Sequence, residues 1–136
     1  MKSRKNSDGT HVLLLEKRED VHATIDAYCQ KHNILGGSLQ AIGGADHVTL
    51  GYWKGASQGG YYEKTFPGFL EITSLLGTIT DIGVHLHGTF AQRNYGVVGG
   101  HVAKARTNPM LEVFLTPAPR LKRKDNKTLK LKLLDL

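Results

Sequence analysis

Short apolar runs separated by glycine-rich or polar segments dominate the chain, and only one stretch repeats at helical spacing. In that stretch Val21, Ile25, Tyr28 and Cys29 fall on one side of a helix. Glu19-Asp20 opens it, with acidic groups suited to the positive end of the helix dipole, and Lys31, His32 and Asn33 close it. Strands are expected over 11–17, 34–44, 47–54, 61–65, 70–80 and 110–116, with two more forming a hairpin between Gly83 and Val102. Gly43-Gly44-Ala45-Asp46 reads as a turn, residues 55–60 as a hairpin tip, and Phe66-Pro67-Gly68-Phe69 as a type II turn. Thr107-Asn108-Pro109 reads as a break, and Pro117 and Pro119 as a stop. Leucines at 129, 131 and 133 alternate with lysines, the pattern of an edge or swapped strand with lysines outward. One helix among about seven strands predicts an α+β domain on a mostly antiparallel sheet with one main flanking helix. Its extent is 11–136, with a flexible polar segment at 1–10 and a basic C-terminal strand or tail at 120–136.

Length and composition narrow the class. The 136 residues make one domain with a real core, and no internal repeat or low-complexity segment is visible. The single cysteine, Cys29, excludes an internal disulfide and fits a reducing cytoplasm. The first apolar run, Val12 to Leu15, is too short for a secretory signal core, and nothing approaches a membrane span. The net charge of +6 sits in the ends: residues 1–10 carry three basic and one acidic side chain, and 120–136 carry seven and two. The body between them has eight basic and nine acidic groups, so no basic domain face is legible. Basic termini act as solubilising tails or as arms on a phosphate backbone.

One constellation carries chemistry. His85 and His87 lie two apart on a predicted strand and so emerge on one face. If the hairpin is centred on Asn94, position 87 opposes position 101, and a third imidazole, His101, joins them. Three neutral imidazoles with an open fourth position suit zinc and its neighbours. A four-residue loop would instead turn His101 to the other face, unless Gly99-Gly100 hosts a bulge that restores it. Otherwise the histidines are polar side chains on a solvated or interface face. Glu71 is the other candidate, on the strand before the hairpin and on the opposite side from Leu70 and Ile72. It is either a surface glutamate or a group that orients a metal-bound histidine or acts as a base on bound water. Phosphate-binding glycine loops, a nucleophile elbow, a cysteine zinc knuckle and an arginine minor-groove hook are all missing. Tyr52, Trp53, Tyr61 and Tyr62 lack interleaved basic residues and read as packing.

The segments LLLEKRED, LGGSLQAIGGADHVTLGYW, FLEITSLLGTIT, GVHLHGTFAQRNYGVVGGHV and LEVFL together resemble the PPC (plants and prokaryotes conserved) domain, in its stand-alone prokaryotic type. The related plant proteins join this domain to AT-hooks in the nucleus. The resemblance spans roughly residues 11 to 135. It implies a homotrimer and a metal site on His85, His87 and His101, most simply zinc, with Glu71 in a site role. Plant DNA binding runs through the AT-hook, which this chain lacks, so that function does not follow from the fold. The leading expectation is a trimeric metal-binding protein, cytoplasmic, with water or a small-molecule ligand at the metal. The alternatives are a DNA-associated regulator using the basic termini and an oligomeric interaction module. The parts also fit metal-assisted hydrolysis or hydration, but no substrate-selecting feature assigns a reaction.

Overall fold

Three segments that read as strand–turn–strand in the sequence run through without reversing. The computed structural model describes all 136 residues and contains strands β1 (Lys2–Lys5), β2 (His11–Glu16), β3 (Gly37–Trp53), β4 (Tyr61–Thr80), β5 (Gly83–Ala91), β6 (Val97–Pro117), β7 (Lys122–Asn126) and β8 (Leu131–Asp135), and one helix, α1 (Val21–Lys31). The expected turn at 43–46 lies inside β3, the expected type II turn at 66–69 inside β4, and the expected break at 107–109 inside β6. Each is a bulge. Asp46 opposes Phe69 and Val48 opposes Phe66, so Pro67 and Gly68 on β4 face the single residue His47 on β3. Gly68 takes a φ of +83°, which a side chain would resist. Likewise Ala45 opposes Thr107 and Gly43 opposes Leu111, so three residues of β6, including Asn108 and Pro109, face Gly44. The expected turns and break are therefore places where pairing is disturbed and not ends of strands. Apolar residues on both sides continue the same ladder, so the chain bends and does not reverse.

The main sheet has the order β1-β2-β6-β3-β4-β5, and β5 also pairs with β6. All these pairings are antiparallel. Strands β3, β4, β5 and β6 therefore close on one another, which covers the outer edge of β5 and leaves β1 as the edge strand. The fold is α+β, with one helix and a mostly antiparallel sheet, as its sequence pattern implies. No helix is long and apolar enough to cross a membrane.

Helix α1 starts where expected: the Asp20 side chain accepts a hydrogen bond from the Ala23 amide at 2.9 Å, satisfying a free N–H of the first turn. Val21, Ile25, Tyr28 and Cys29 face one continuous core with Leu13, Leu15, Leu75, Ile79, Leu86, Phe90 and Val102. Each fully buried leucine or phenylalanine here stabilises the fold by about 1.5–3 kcal/mol through removal of apolar surface from water.

Both ends form strands, the amino-terminal one in place of the expected flexible segment. Residues 2–5 do not fray: β1 pairs with β2 from Lys2↔Leu14 to Lys5↔His11, and the amino terminus donates to Glu16 at 3.0 Å and Glu19 at 2.8 Å. At the other end the alternating Leu/Lys segment joins no edge of the main sheet. Strands β7 and β8 form their own hairpin, paired from Lys122↔Asp135 at its open end to Asn126↔Leu131 beside the turn. The chain reaches this hairpin along Leu121, whose amide donates to Leu35 O at 3.0 Å and whose carbonyl accepts from the Asp81 amide at 3.0 Å.

Candidate metal centre

The hairpin of β5 and β6 decides whether three histidines meet. Its pairs run from Ala91↔Val97 to His87↔His101, centred on Asn94, so no bulge intervenes. The loop is five residues long. Gln92 N–H donates to Gly96 O and Tyr95 N–H to Gln92 O, both at 2.8 Å. Tyr95 takes the left-handed conformation at φ +66°, and Asn94 Oδ1 accepts from the Gly96 amide at 3.0 Å. An odd loop length keeps positions 87 and 101 in direct opposition. The glycines before His101 serve close approach: a Cβ on Gly99 would stand 2.9 Å from Gly88 O, and one on Gly100 2.8 Å from Gly51 O.

Leu86, Phe90 and Val102 point into the core, so alternation turns His85, His87 and His101 to the other face. Ring centroids are 5.1 Å apart for His85 and His87, 5.0 Å for His85 and His101, and 5.5 Å for His87 and His101. One nitrogen from each ring lies within 4.8 Å of the others. His85 and His101 are half-buried and His87 is exposed, which leaves the group approachable from solvent.

Two observations fit this trio to a transition metal. Burial, followed by the neighbouring His101 and Arg123, pushes His85 down to about 4, and burial with His87 lowers His101, so these two rings are neutral at physiological pH, the form a metal requires. His101 Nδ1 is buried and has no hydrogen-bond partner in the protein, a cost that a bound cation would remove. The donor set is all imidazole nitrogen, which suits zinc, copper or nickel better than calcium or magnesium.

Glu71 is not drawn into the trio. It is exposed on β4, on the side away from buried Leu70 and Ile72, as alternation requires. Its partner on β5 is Ala91, four residues beyond His87, or about 13 Å along the strand at about 3.3 Å per residue.

Two residues that sequence reading passed over stand at the site. The Tyr61 ring stacks on His101, with centroids 4.6 Å apart and planes 21° from parallel. Its supposed packing partners Tyr52 and Tyr62 are instead 78% and 58% exposed. Arg123, counted above as one charge of a basic tail, reaches from β7 to the histidines. Its Nη2 donates to Thr78 Oγ1 at 2.8 Å and stands 3.3 Å from His85 Nδ1, and its Nη1 donates to Lys132 O at 3.0 Å. No local signal marks either residue, because each is brought to the site by a strand remote in sequence.

The sequence matches the Plants and Prokaryotes Conserved (PCC) domain family over residues 2–119. The chain belongs to this family. Solved structures resemble this PCC domain along most of its length. A candidate DNA-binding protein from Bacteroides thetaiotaomicron is 25% identical, with a TM-score of 0.90 over 98% of this chain and 96% of that one. A metal-containing protein from Archaeoglobus fulgidus is 26% identical, with a TM-score of 0.75 over 91% and 92%. A plant- and prokaryote-conserved protein from Pyrococcus horikoshii shares the fold at 24% identity, with a TM-score of 0.82 over 91% and 90%. No curated protein matches the sequence. The match to the PCC family ends at residue 119, so the β7–β8 hairpin that brings Arg123 to the histidines lies outside it.

Proposed function

We propose that this PCC domain is a metal-binding protein, with zinc as the resident ion on His85, His87 and His101 and an open position for water or a small ligand. The observation that carries the reading is the convergence of three imidazole donors within 4.8 Å, one of them the orphaned Nδ1-bearing ring of His101. A zinc ion there would act as a Lewis acid toward whatever occupies its open position. The protein's own part is to hold two rings neutral and to brace His101 against Tyr61. The metal-containing archaeal neighbour supports the reading.

The same reading includes a homotrimer. One row across the exposed face of the sheet runs Phe114, Gln40, Leu76, His87, His101 through successive cross-strand pairs. Phe114 and Leu76 are 50% and 57% exposed, and Ile42 beside them is 57% exposed. An apolar row of this kind on a lone chain marks an interface, and it leads directly to the metal centre. Within one chain Glu71 is too far to serve the histidines, so its site role requires a neighbouring copy to carry it there.

Elemental analysis of untagged protein purified without chelator tests the metal. Roughly one zinc per chain is expected, with loss in His87→Ala and His101→Ala. Unchanged metal in both variants, or none in the parent, overturns the reading.

A second reading is DNA association through the basic ends, favoured by the Bacteroides neighbour. Lys122, Lys127 and Lys132 are the side chains to replace, since Arg123 is engaged at the histidines. Binding that falls steeply with salt and is lost in the triple alanine variant would support it; salt-insensitive or unaltered binding excludes it.

A further inference from the structure

The β7–β8 hairpin and the histidine face border an open pocket of about 400 Å³. His85, His101, Arg123, Thr80, Lys130 and Lys132 form its polar part, and Ile82, Leu131 and Leu133 are among its apolar walls. No aspartate or glutamate lines it. Arg123 has no carboxylate partner anywhere in the chain, whereas Arg106 and Arg120 pair with Asp46 and Asp81 at 2.7 Å and 2.9 Å. Its three contacts are to a hydroxyl, a carbonyl and an imidazole nitrogen, and none is to a carboxylate. Arg123 as a residue is half-buried, and a charge held there without a counter-ion is costly to the extent that it is desolvated.

We propose that this pocket binds a small organic carboxylate, with Arg123 neutralising the carboxylate and the carbon skeleton lying against Ile82, Leu131 and Leu133. The proposal rests on the reading of the histidines as a metal site and names the ligand class for its open position. Three features select the class. A guanidinium presents a planar fork of donors that matches the two oxygens of a carboxylate. A charge-assisted hydrogen bond to a carboxylate is about twice as strong as a neutral one. The apolar walls reward a carbon skeleton, which inorganic phosphate lacks. The hairpin supplying Arg123 is anchored on both sides: Arg120 holds Asp81, and Lys130 Nζ donates to Ser57 O at 2.8 Å.

The test measures binding of acetate and malonate by amide chemical-shift titration, on zinc-loaded and on metal-free protein, with acetamide and inorganic phosphate as controls. Saturable shifts are expected at the amides of 82–85, 101 and 131–133 with the carboxylates, and none with acetamide. Arg123→Gln should weaken the carboxylates on the order of tenfold, and Arg123→Lys less, because the charge remains. Shifts elsewhere in Arg123→Gln report whether the hairpin stays docked; if it does not, Arg123→Lys decides, and an affinity equal to that for acetamide overturns the proposal. Equal carboxylate affinity in the parent and in docked Arg123→Gln overturns it too, as does phosphate binding more tightly than malonate. Zinc content is read on the same samples. Parent protein that takes up no zinc yet binds malonate through Arg123 refutes the metal reading and leaves the anion pocket standing. Zinc at full occupancy with no carboxylate shifts refutes the pocket alone.

Discussion

His101 holds the most constrained position in the site. It opposes His87, lies beneath the Tyr61 ring, and has a buried nitrogen without a partner. Replacing Tyr61 by alanine removes the stacked wall and leaves all three donors in place. Zinc affinity should fall on the order of tenfold, at the low end of what losing a partner that orients a ligand costs; equal affinity by competition with a chromophoric chelator would show that the stack does not position the ring. Asp46 offers a separate test, away from the three histidines. Its carboxyl accepts from Arg106 Nε at 2.7 Å and from Asn108 Nδ2 at 3.1 Å, and the arginine holds it down to about 2 from an ordinary 3.8. Between those values the unfolded chain binds the extra proton, so this contribution is complete above about pH 4 and is lost as pH falls toward 2. Asp46→Asn should flatten that acid limb of the stability curve, followed by urea unfolding at pH 5, 4, 3 and 2; a limb of unchanged slope would remove Asp46 from the account.

At the scale of elements, the β5–β6 hairpin depends on two backbones coming closer than a side chain permits. Gly99→Ala puts a methyl group 2.9 Å from the Gly88 carbonyl, a backbone atom that cannot swing aside. The expected cost is about 1–3 kcal/mol by urea denaturation, with weaker zinc binding as β6 moves away from His87; a neutral effect on both would mean that the strands have room to spare. The C-terminal hairpin behaves differently. A chain ending at Leu121 keeps the backbone bonds from Leu121 to Leu35 and Asp81, and it keeps the whole buried core. It should fold and retain zinc while losing Arg123 and carboxylate binding. Failure to fold would make the hairpin part of the structural unit.

At the scale of the whole molecule, the exposed row of Phe114, Leu76 and Ile42 predicts assembly. Phe114→Glu combined with Leu76→Arg should convert a trimer to monomer in sedimentation analysis, with secondary structure unchanged. A monomeric parent would overturn the trimer, and a trimer that persists in the variant would assign the interface elsewhere on the surface.

The local pattern carried much of this protein. The helix with its Asp20 cap, the α+β class, the strand bearing His85 and His87, and the family were legible because each depends on residues close in sequence. The opposition of His87 and His101 was legible as one of two registers, and the five-residue loop with Tyr95 in the left-handed region selected it. Turn-forming residues at 43–46, 66–69 and 107–109 were visible, but whether they reverse or merely bulge a strand depends on partners across the sheet. Tyr61 and Arg123 were invisible as site residues: one lies 40 positions before His101 and the other 38 after His85. Sequence by itself thus determined which side chains of the β5–β6 hairpin were available as ligands. Only the tertiary structure decided what surrounds them, because a stacked ring and an unpaired guanidinium owe their places to long-range packing.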